Sequence, residues 1–229
     1  MTSPVLSRSI ILTAAGLALS SSVHAQSDID PTNKYSWEEN CGWMNWRDAN
    51  NALQGVRDRG TYLSGYIWCE NVGWINVGNG SPPNGISYIN ATGADFGVNV
   101  NSATGNLSGM AWGENVGWVN FGGGALASPA QPARFDSIAN RFRGYAWAEN
   151  IGWINLDDAN SGKFVARLCY ANCDQSTNAP ILNVNDFSCF LNKYAAGDAF
   201  ANCDRSTIAP ILNVNDFSCF LNKFAAGCP

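Results

Sequence analysis

Near its C-terminus the chain twice places oxygen-bearing side chains at alternate positions. Asn172, Asp174 and Ser176 do so first, and Asn202, Asp204 and Ser206 repeat the pattern thirty residues later. Each set is followed by a second pair of donors, Asn183 and Asp186 in one copy and Asn213 and Asp216 in the other. Amide, carboxylate and hydroxyl oxygens in this alternation are a donor set for a hard divalent cation, and calcium takes about six to eight such oxygens. The chemistry available to these residues is therefore calcium binding in two loops. Segments 171–197 and 201–227 differ only at Gln175/Arg205, Asn178/Ile208 and Tyr194/Phe224, so the two loops should behave alike.

Elements with helical periodicity follow each loop. Phe187, Phe190, Leu191 and Tyr194 recur at helical spacing before Gly197, as do Phe217, Phe220, Leu221 and Phe224 before Gly227. In calcium-loop numbering Asn172, Asp174 and Ser176 take positions one, three and five. Leu182 takes the apolar position eight, Asn183 position nine and Asp186 position twelve. Three extra residues, most simply Asn178-Ala179-Pro180 and Ile208-Ala209-Pro210, lengthen each loop. Thr177 and Thr207 stand where the sharp turn usually has glycine. A longer loop with few charges predicts weak affinity, in the extracellular range.

The module spanning 169–229 resembles the dockerin domains of secreted bacterial proteins. Those domains carry two tandem EF-hand-type calcium loops, each followed by a helix, with Asp at the last loop position. The resemblance implies two bound Ca2+ ions and a cohesin-like or other surface-protein partner. It also implies a role in tethering or assembling extracellular proteins. The plainer alternative is a disulfide-stapled helix pair with solvated acidic loops.

All nine tryptophans lie between residues 37 and 153. Eight of them belong to four copies of one pattern, W-x-E-N-x-G-W-x-N. The copies are Trp37…Trp43-Met44-Asn45, Trp68…Trp74-Ile75-Asn76, Trp112…Trp118-Val119-Asn120 and Trp147…Trp153-Ile154-Asn155. Period-two alternation on either side of Glu-Asn-x-Gly predicts a β-hairpin, with its two tryptophans opposite each other. Asn and Gly supply the turn chemistry. Residues 97–112 align without gaps on 132–147, which adds one strand ahead of each hairpin. The expected fold class is a mainly β repeat domain of three-stranded meanders plus a small α-helical module. The first copy lacks its leading strand. Residues 163–168 are the candidate to pair with that hairpin and close the array. Propeller, prism and barrel all remain open as the form of closure.

Repeated tryptophans first suggest core and cross-strand packing. The functional alternative is a ligand face on which Trp68, Trp74, Trp112, Trp118, Trp147 and Trp153, with the repeated asparagines, bind polysaccharide by stacking and hydrogen bonding. Repetition would add avidity. Glu39, Glu70, Glu114 and Glu149 recur identically in the four units. Glycosidases need two carboxylates in different environments within one cleft, so these four read as turn structure or four equivalent sites and not as catalytic groups.

Arg8, the apolar run 10–20 and Val23-His24-Ala25 compose a secretory leader ending near Ala25. No other stretch is long and apolar enough for a membrane helix. Export would remove His24, the only histidine, and with it any His-based catalytic dyad, triad or zinc site. The formal charge is −5, with no basic run, which argues against nucleic acid as a partner. Eight cysteines in an exported chain predict four disulfides. Equivalence under the duplication suggests Cys173–Cys189 and Cys203–Cys219. Cys169 and Cys228 flank the duplicated unit and would clasp it, which leaves Cys41–Cys69. Free thiols holding a metal are the alternative.

The expected organisation is a leader over 1–25, a Trp-rich β-repeat domain over 26–168 and the dockerin-like module over 169–229. The expected function is that of an exported, non-enzymatic surface or extracellular protein assembled through its C-terminal module. Two alternatives are a carbohydrate-binding protein and a polysaccharide hydrolase with an unrecognised carboxylate site.

Overall fold

The computed structural model describes residues 27–228 apart from 159, 177, 205 and 207; the expected leader, with Arg8 and His24, lies outside them. The first hairpin is β1 (Ile29–Glu38) and β2 (Gly42–Asn45). A short β3 (Arg57–Asp58) precedes the second hairpin, β4 (Leu63–Cys69) and β5 (Gly73–Gly78). β6 (Val98–Val100) precedes the third, β7 (Leu107–Gly113) and β8 (Gly117–Asn120). β9 (Arg134–Asp136) and β10 (Arg141–Arg143) precede the fourth, β11 (Tyr145–Ala148) and β12 (Gly152–Asn155). β13 (Asp157–Asp158) and β14 (Lys163–Arg167) complete the β domain. The helices α1 (Val184–Ala195) and α2 (Val214–Ala226) follow.

The four hairpins pair side by side, all antiparallel, in the order β1-β2-β4-β5-β7-β8-β11-β12. β12 then returns to β1 through Trp37↔Asn155 and Glu38↔Ile154. The result is a closed eight-stranded barrel with no free hairpin edge. The expected pairing of 163–168 with the first hairpin occurs, with Ile29 opposite Arg167 and Lys34 opposite Val165. That strand does not close the barrel, however; β12 does. The opening strand of a hairpin is long enough to serve two partners. Its first half takes a leading strand and its second half takes the barrel neighbour.

Alternation decides which residues fill the barrel. Ser36, Ile67, Ala111 and Ala146 point inward from the opening strands, and Met44, Ile75, Val119 and Ile154 from the returning strands; all eight are buried. Mixing small and large residues fills an eight-stranded interior without a channel. Each buried Ile or Val contributes about 1.5–3 kcal/mol. Trp46, the one tryptophan outside the repeat pattern, caps this core. Its Nε1 donates to Ser36 Oγ at 2.8 Å. Its ring packs against Phe121 at 6.0 Å and Phe142 at 5.4 Å.

The two barrel ends are built differently. At one end each Glu-Asn-x-Gly turn is a three-residue loop closed by a left-handed glycine: Gly42, Gly73, Gly117 and Gly152 have φ of 82°, 85°, 77° and 96°. The asparagine of each turn then reaches to a neighbouring hairpin. Asn40 Nδ2 donates to Ile151 O (2.7 Å), Asn71 to Cys41 O (3.1 Å), Asn115 to Val72 O (3.1 Å) and Asn150 to Val116 O (3.0 Å). These four bonds form a complete ring around the barrel end. The repeated Glu-Asn-x-Gly thus sets both the turn and the contact between repeats.

At the other end the opening strands kink at Gly65, Gly109 and Gly144, with φ of 100°, 87° and 80°. Beyond the kink each runs as a two-stranded ribbon with its leading strand. Neighbouring ribbons join in turn. Val100 N donates to Thr61 O, Phe135 N to Gly105 O and Arg167 N to Asn140 O, at 2.7, 2.8 and 3.1 Å. The ring is completed by a side chain, because the Asp28 carboxylate accepts from Asp58 N at 2.9 and 3.1 Å.

Burial, and then the charge of Asp58, raise the Asp28 carboxyl from 3.8 to about 6, against the smaller opposing pull of Arg167 and Arg59. The folded value lies above the unfolded one, so the stabilisation is complete below pH 4 and is lost as pH rises through about 6. A shift of this size corresponds to about 3 kcal/mol. Asp28 is still partly open to water, so about 2 kcal/mol is the expected effect. Asp28→Asn keeps an oxygen for Asp58 N and removes the charge. It should gain that amount at pH 7 and show a flatter stability profile between pH 4 and 6 in chemical denaturation. A variant no more stable than its parent at pH 7 would refute the penalty.

The helical part has its own core. Phe190 and Phe220 are fully buried and stack at 4.2 Å with a 14° interplanar angle. Phe187 meets Phe217 at 5.5 Å. Each helix starts with the same capping box. Asn183 Oδ1 accepts from Asn185 N and Asp186 Oδ2 from Asn183 N, both at 2.8 Å, and Asn213 and Asp216 repeat this. Disulfides Cys173–Cys189, Cys203–Cys219 and Cys169–Cys228 hold loops to helices and one end of the module to the other. Arg47 Nη2 donates to Gln175 Oε1 at 3.1 Å and links barrel to module.

Candidate functional site

With small and aliphatic residues inside, the repeat tryptophans face outward. Each pair is in direct cross-strand register: Trp37↔Trp43, Trp68↔Trp74, Trp112↔Trp118 and Trp147↔Trp153. Ring centroids lie 4.6, 4.4, 4.7 and 4.7 Å apart, with planes inclined by 54–63°. Of the expected core and cross-strand packing, the cross-strand part holds and the core part does not; the eight pack against each other on the barrel wall. The second indole of each pair remains 38–47% exposed. A third aromatic edges against it: Tyr35, Tyr66 and Tyr145 at 6.3–6.4 Å and Phe96 at 5.2 Å. The tyrosines stand two residues before the first tryptophan, a period-two signal that was legible in three of the four repeats.

Between hairpins the outward partner of each first tryptophan is an asparagine of the repeat. Asn45 faces Trp68, Asn76 faces Trp112, Asn120 faces Trp147 and Asn155 faces Trp37. Indoles and amides therefore alternate around the whole barrel. Part of each amide is already engaged, since its Oδ1 accepts from the backbone N–H two residues on, at 2.8–3.1 Å. In β2, β8 and β12 the strand ends at this asparagine. Where the first two hairpins meet, a groove of about 450 Å³ is lined by Tyr35, Trp43, Asn45, Trp68, Glu70 and Lys163, among others. Sequence reading did not place Lys163 beside the tryptophans; only the return of β14 to β1 brings it there. Glu39, Glu70, Glu114 and Glu149 are exposed turn residues at separate hairpins.

The expected Cys41–Cys69 disulfide is absent. Both residues are buried thiols, and Cys69 Sγ donates to Cys41 O at 3.0 Å. In the repeat alignment Cys69 stands where the third and fourth units have Gly113 and Ala148, and Cys41 where the others have Val72, Val116 and Ile151. The two cysteines thus fill small apolar positions at the barrel end. Burial, with hydrogen bonds to Cys69 and Glu38, pushes the Cys41 thiol far up. Such a thiol is a poor nucleophile. The Glu38 carboxylate beside it is buried and accepts from Asn40 N at 2.8 Å and Cys41 N at 2.7 Å.

In the C-terminal loops the fold brings the expected donors only partly together. Asp174 Oδ1 accepts from Ser176 N at 2.9 Å, and Asp186 Oδ1 accepts from Asp174 N at 3.3 Å. Burial, with the neighbouring Asp174 carboxylate, raises the Asp186 carboxyl, whereas the Ser176 backbone N–H holds Asp174 down. Asn172 donates through Nδ2 to Ser176 O at 2.9 Å, which leaves its Oδ1 buried without a partner; Asn202 repeats this. A buried orphan acceptor beside two facing carboxylates is a fit for a hard cation. Asn183 and Asn213 are different, because their Oδ1 atoms are spent on helix caps. Ser176 and Ser206 donate to Ile181 O and Ile211 O. Among the described residues no three Asp, Glu, His or Cys side chains converge as metal ligands, so each loop presents a low-charge donor set.

Comparison of the chain with family models, with curated proteins and with solved structures returned no match.

Proposed function

We propose that this chain is an exported, non-enzymatic polysaccharide-binding protein, with its four outward tryptophan pairs as the binding platforms. The observation that carries this reading is the outward position of eight indoles, six of them exposed, on a barrel whose core does not use them. Large exposed aromatic patches mark interaction surfaces. Edge-to-face pairing holds the rings rigid, so little side-chain entropy is lost on stacking against a sugar. Each hairpin offers the amide of its neighbour beside its own indole. Lipid is a poorer occupant, because β2, β8, β11 and β12 have 4 residues each. A membrane-spanning strand needs about nine to eleven.

The helical module is proposed as the tether. It carries the same exposed apolar residues twice, Ile181, Val184 and Leu191 in one copy and Ile211, Val214 and Leu221 in the other. This duplication favours docking to a cohesin-like or other surface protein. Calcium is proposed to bind through Asn172, Asp174 and Asp186 and through Asn202, Asp204 and Asp216, and to fix the loops against the helices.

Sedimentation of the full chain with insoluble cellulose, chitin and xylan tests the binding reading. Retention on at least one polymer is expected. The combined replacement Trp74→Ala, Trp118→Ala and Trp153→Ala should weaken it by at least about tenfold, because avidity needs several platforms. These side chains lie outside the core, so the barrel should keep its fold. Equal retention of the variant would defeat the platform role, and release of soluble sugars would call for the hydrolase reading instead.

A further inference from the structure

The ribbon end of the barrel carries a second concavity, remote from the Glu-Asn-x-Gly turns. It has a volume of about 470 Å³. All four ribbons line it: the β3–β4 turn with Asp58 to Thr61, the β6–β7 turn with Val100 to Gly105, the fourth ribbon with Phe135 and Ser137, and β14 with Arg167. It therefore lies where the pseudo-four-fold arrangement converges, at a barrel mouth, a common place for small-molecule sites.

Three features give this mouth a chemistry. First, its polar lining is rich in hydroxyls, with Thr61, Ser102, Thr104 and Ser137, and includes one amide, Asn101, whose Oδ1 accepts from Ala103 N and Thr104 N and whose Nδ2 is left to donate. Secondly, its charged lining is Arg59, Arg167 and Asp58, a local positive excess on a chain of formal charge −5. Asp58 is buried and already committed, to Gly60 N at 2.6 Å and to Arg167 Nη1 at 3.2 Å. Arg167 is fixed further by stacking over Phe135 at 4.8 Å. Arg59 is exposed and takes part in none of the ion pairs among the described residues. Thirdly, the repeats diverge here. The turn end keeps Glu-Asn-x-Gly in all four units, whereas the mouth turns read Asp-Arg-Gly-Thr, Asn-Ser-Ala-Thr-Gly and Asp-Ser-Ile-Ala-Asn. The turn end thus repeats one set of side chains four times, whereas the mouth presents a different set from each ribbon.

We propose that the ribbon-end mouth binds a carboxylate-bearing sugar, a hexuronic acid unit, with Arg59 taking the carboxylate and the turn hydroxyls and Asn101 taking the ring hydroxyls. Guanidinium matches a carboxylate with two parallel donors, which a neutral sugar cannot use. The site is separate from the tryptophan platforms and stands or falls independently of them.

The test is an amide chemical-shift titration of the isotopically labelled full chain with sodium D-glucuronate, with methyl glucoside and sodium acetate in parallel. Glucuronate is expected to shift the amides of residues 59–61 and 101–105 saturably, at least about tenfold more tightly than either control. Arg59→Ala should weaken this by at least about tenfold and Arg59→Lys by less, since lysine keeps the charge but not the fork. Arg59 is exposed and forms no ion pair among the described residues, so both variants should fold. Equal affinity for acetate would reduce the mouth to a general anion site and overturn the proposal. So would unshifted 59–61 and 101–105 amides, or an Arg59→Ala variant that binds like its parent. Because the readout is local to the mouth, failure here is distinguishable from failure of polysaccharide binding at the tryptophans.

Discussion

Gly144→Ala is expected to destabilise the barrel by more than about 3 kcal/mol, the range of severe single substitutions. Gly144 has φ of 80° and forms the kink between barrel strand and ribbon. A Cβ there would be driven into the carbonyl oxygen of Pro132 and lie 2.6 Å from its carbon. Both obstacles are backbone, so no side chain can move aside. The Gln131–Pro132 backbone that leads into β9 would have to part from the β10–β11 junction, so the fourth unit would lose the contact between its own leading segment and its barrel strand. Gly162 supplies the control. Its φ is also positive, 67°, but a Cβ there meets nothing within 4 Å. Gly162→Ala should therefore cost only about 1 kcal/mol, the backbone preference alone. Urea denaturation followed by tryptophan fluorescence reports on the barrel specifically, because every tryptophan lies in it. Equal costs for the two variants would show that the close approach at Gly144 carries no energy.

Calcium is expected to stabilise the helical module by about 2–3 kcal/mol at a concentration a hundredfold above its dissociation constant. For a weak extracellular loop that means roughly 10–100 mM calcium. The readout is the helical circular dichroism of the full chain during thermal unfolding, since the barrel contributes no α-helix. Asp174→Asn combined with Asp204→Asn should abolish the gain and leave the capping boxes intact. Asp186 and Asp216 are poorer targets, because each also caps a helix and its loss would cost about 1 kcal/mol without any metal. An unchanged transition in calcium would mean that the three disulfides and the phenylalanine stack hold the module without a cation.

Much of the local structure was legible because it depends on neighbouring residues. Period-two alternation around Glu-Asn-x-Gly announced the hairpins, and the direct register of Trp68 with Trp74 follows from a three-residue turn. The alignment of 97–112 on 132–147 already contained Gly109 and Gly144 at equivalent positions. The duplication of residues around Cys173 and Cys189 predicted two bridges, since identical segments fold alike. Helical spacing of Phe187, Phe190 and Leu191 predicted α1, although not that Phe190 would stack on Phe220.

What failed did so where identity alone was used to count partners. Cys41 and Cys69 were paired because two cysteines were left over. Position in the repeat overrules that, as they occupy the sites of small apolar residues at the barrel end. The tryptophans were expected, from their repetition, to serve core and cross-strand packing, and only the cross-strand part holds. Alternation places them on one face, but only closure of the sheet decides which face is inside. With Ile67, Ala111 and their equivalents enclosed, eight indoles had to lie outside.

The sequence by itself determined four repeated hairpins, their turn chemistry, a duplicated loop–helix module and three of its cross-links, because these rest on short-range periodicity and internal equivalence. Only the tertiary structure decided that the hairpins close as a barrel through β1 and β12, that the indoles form an outer belt, and that Arg59, Ser102, Ser137 and Arg167 share one mouth. Those relations join residues 28 with 58, 37 with 155 and 59 with 167. They arise from the curvature of a closed sheet, which no local pattern along the chain encodes.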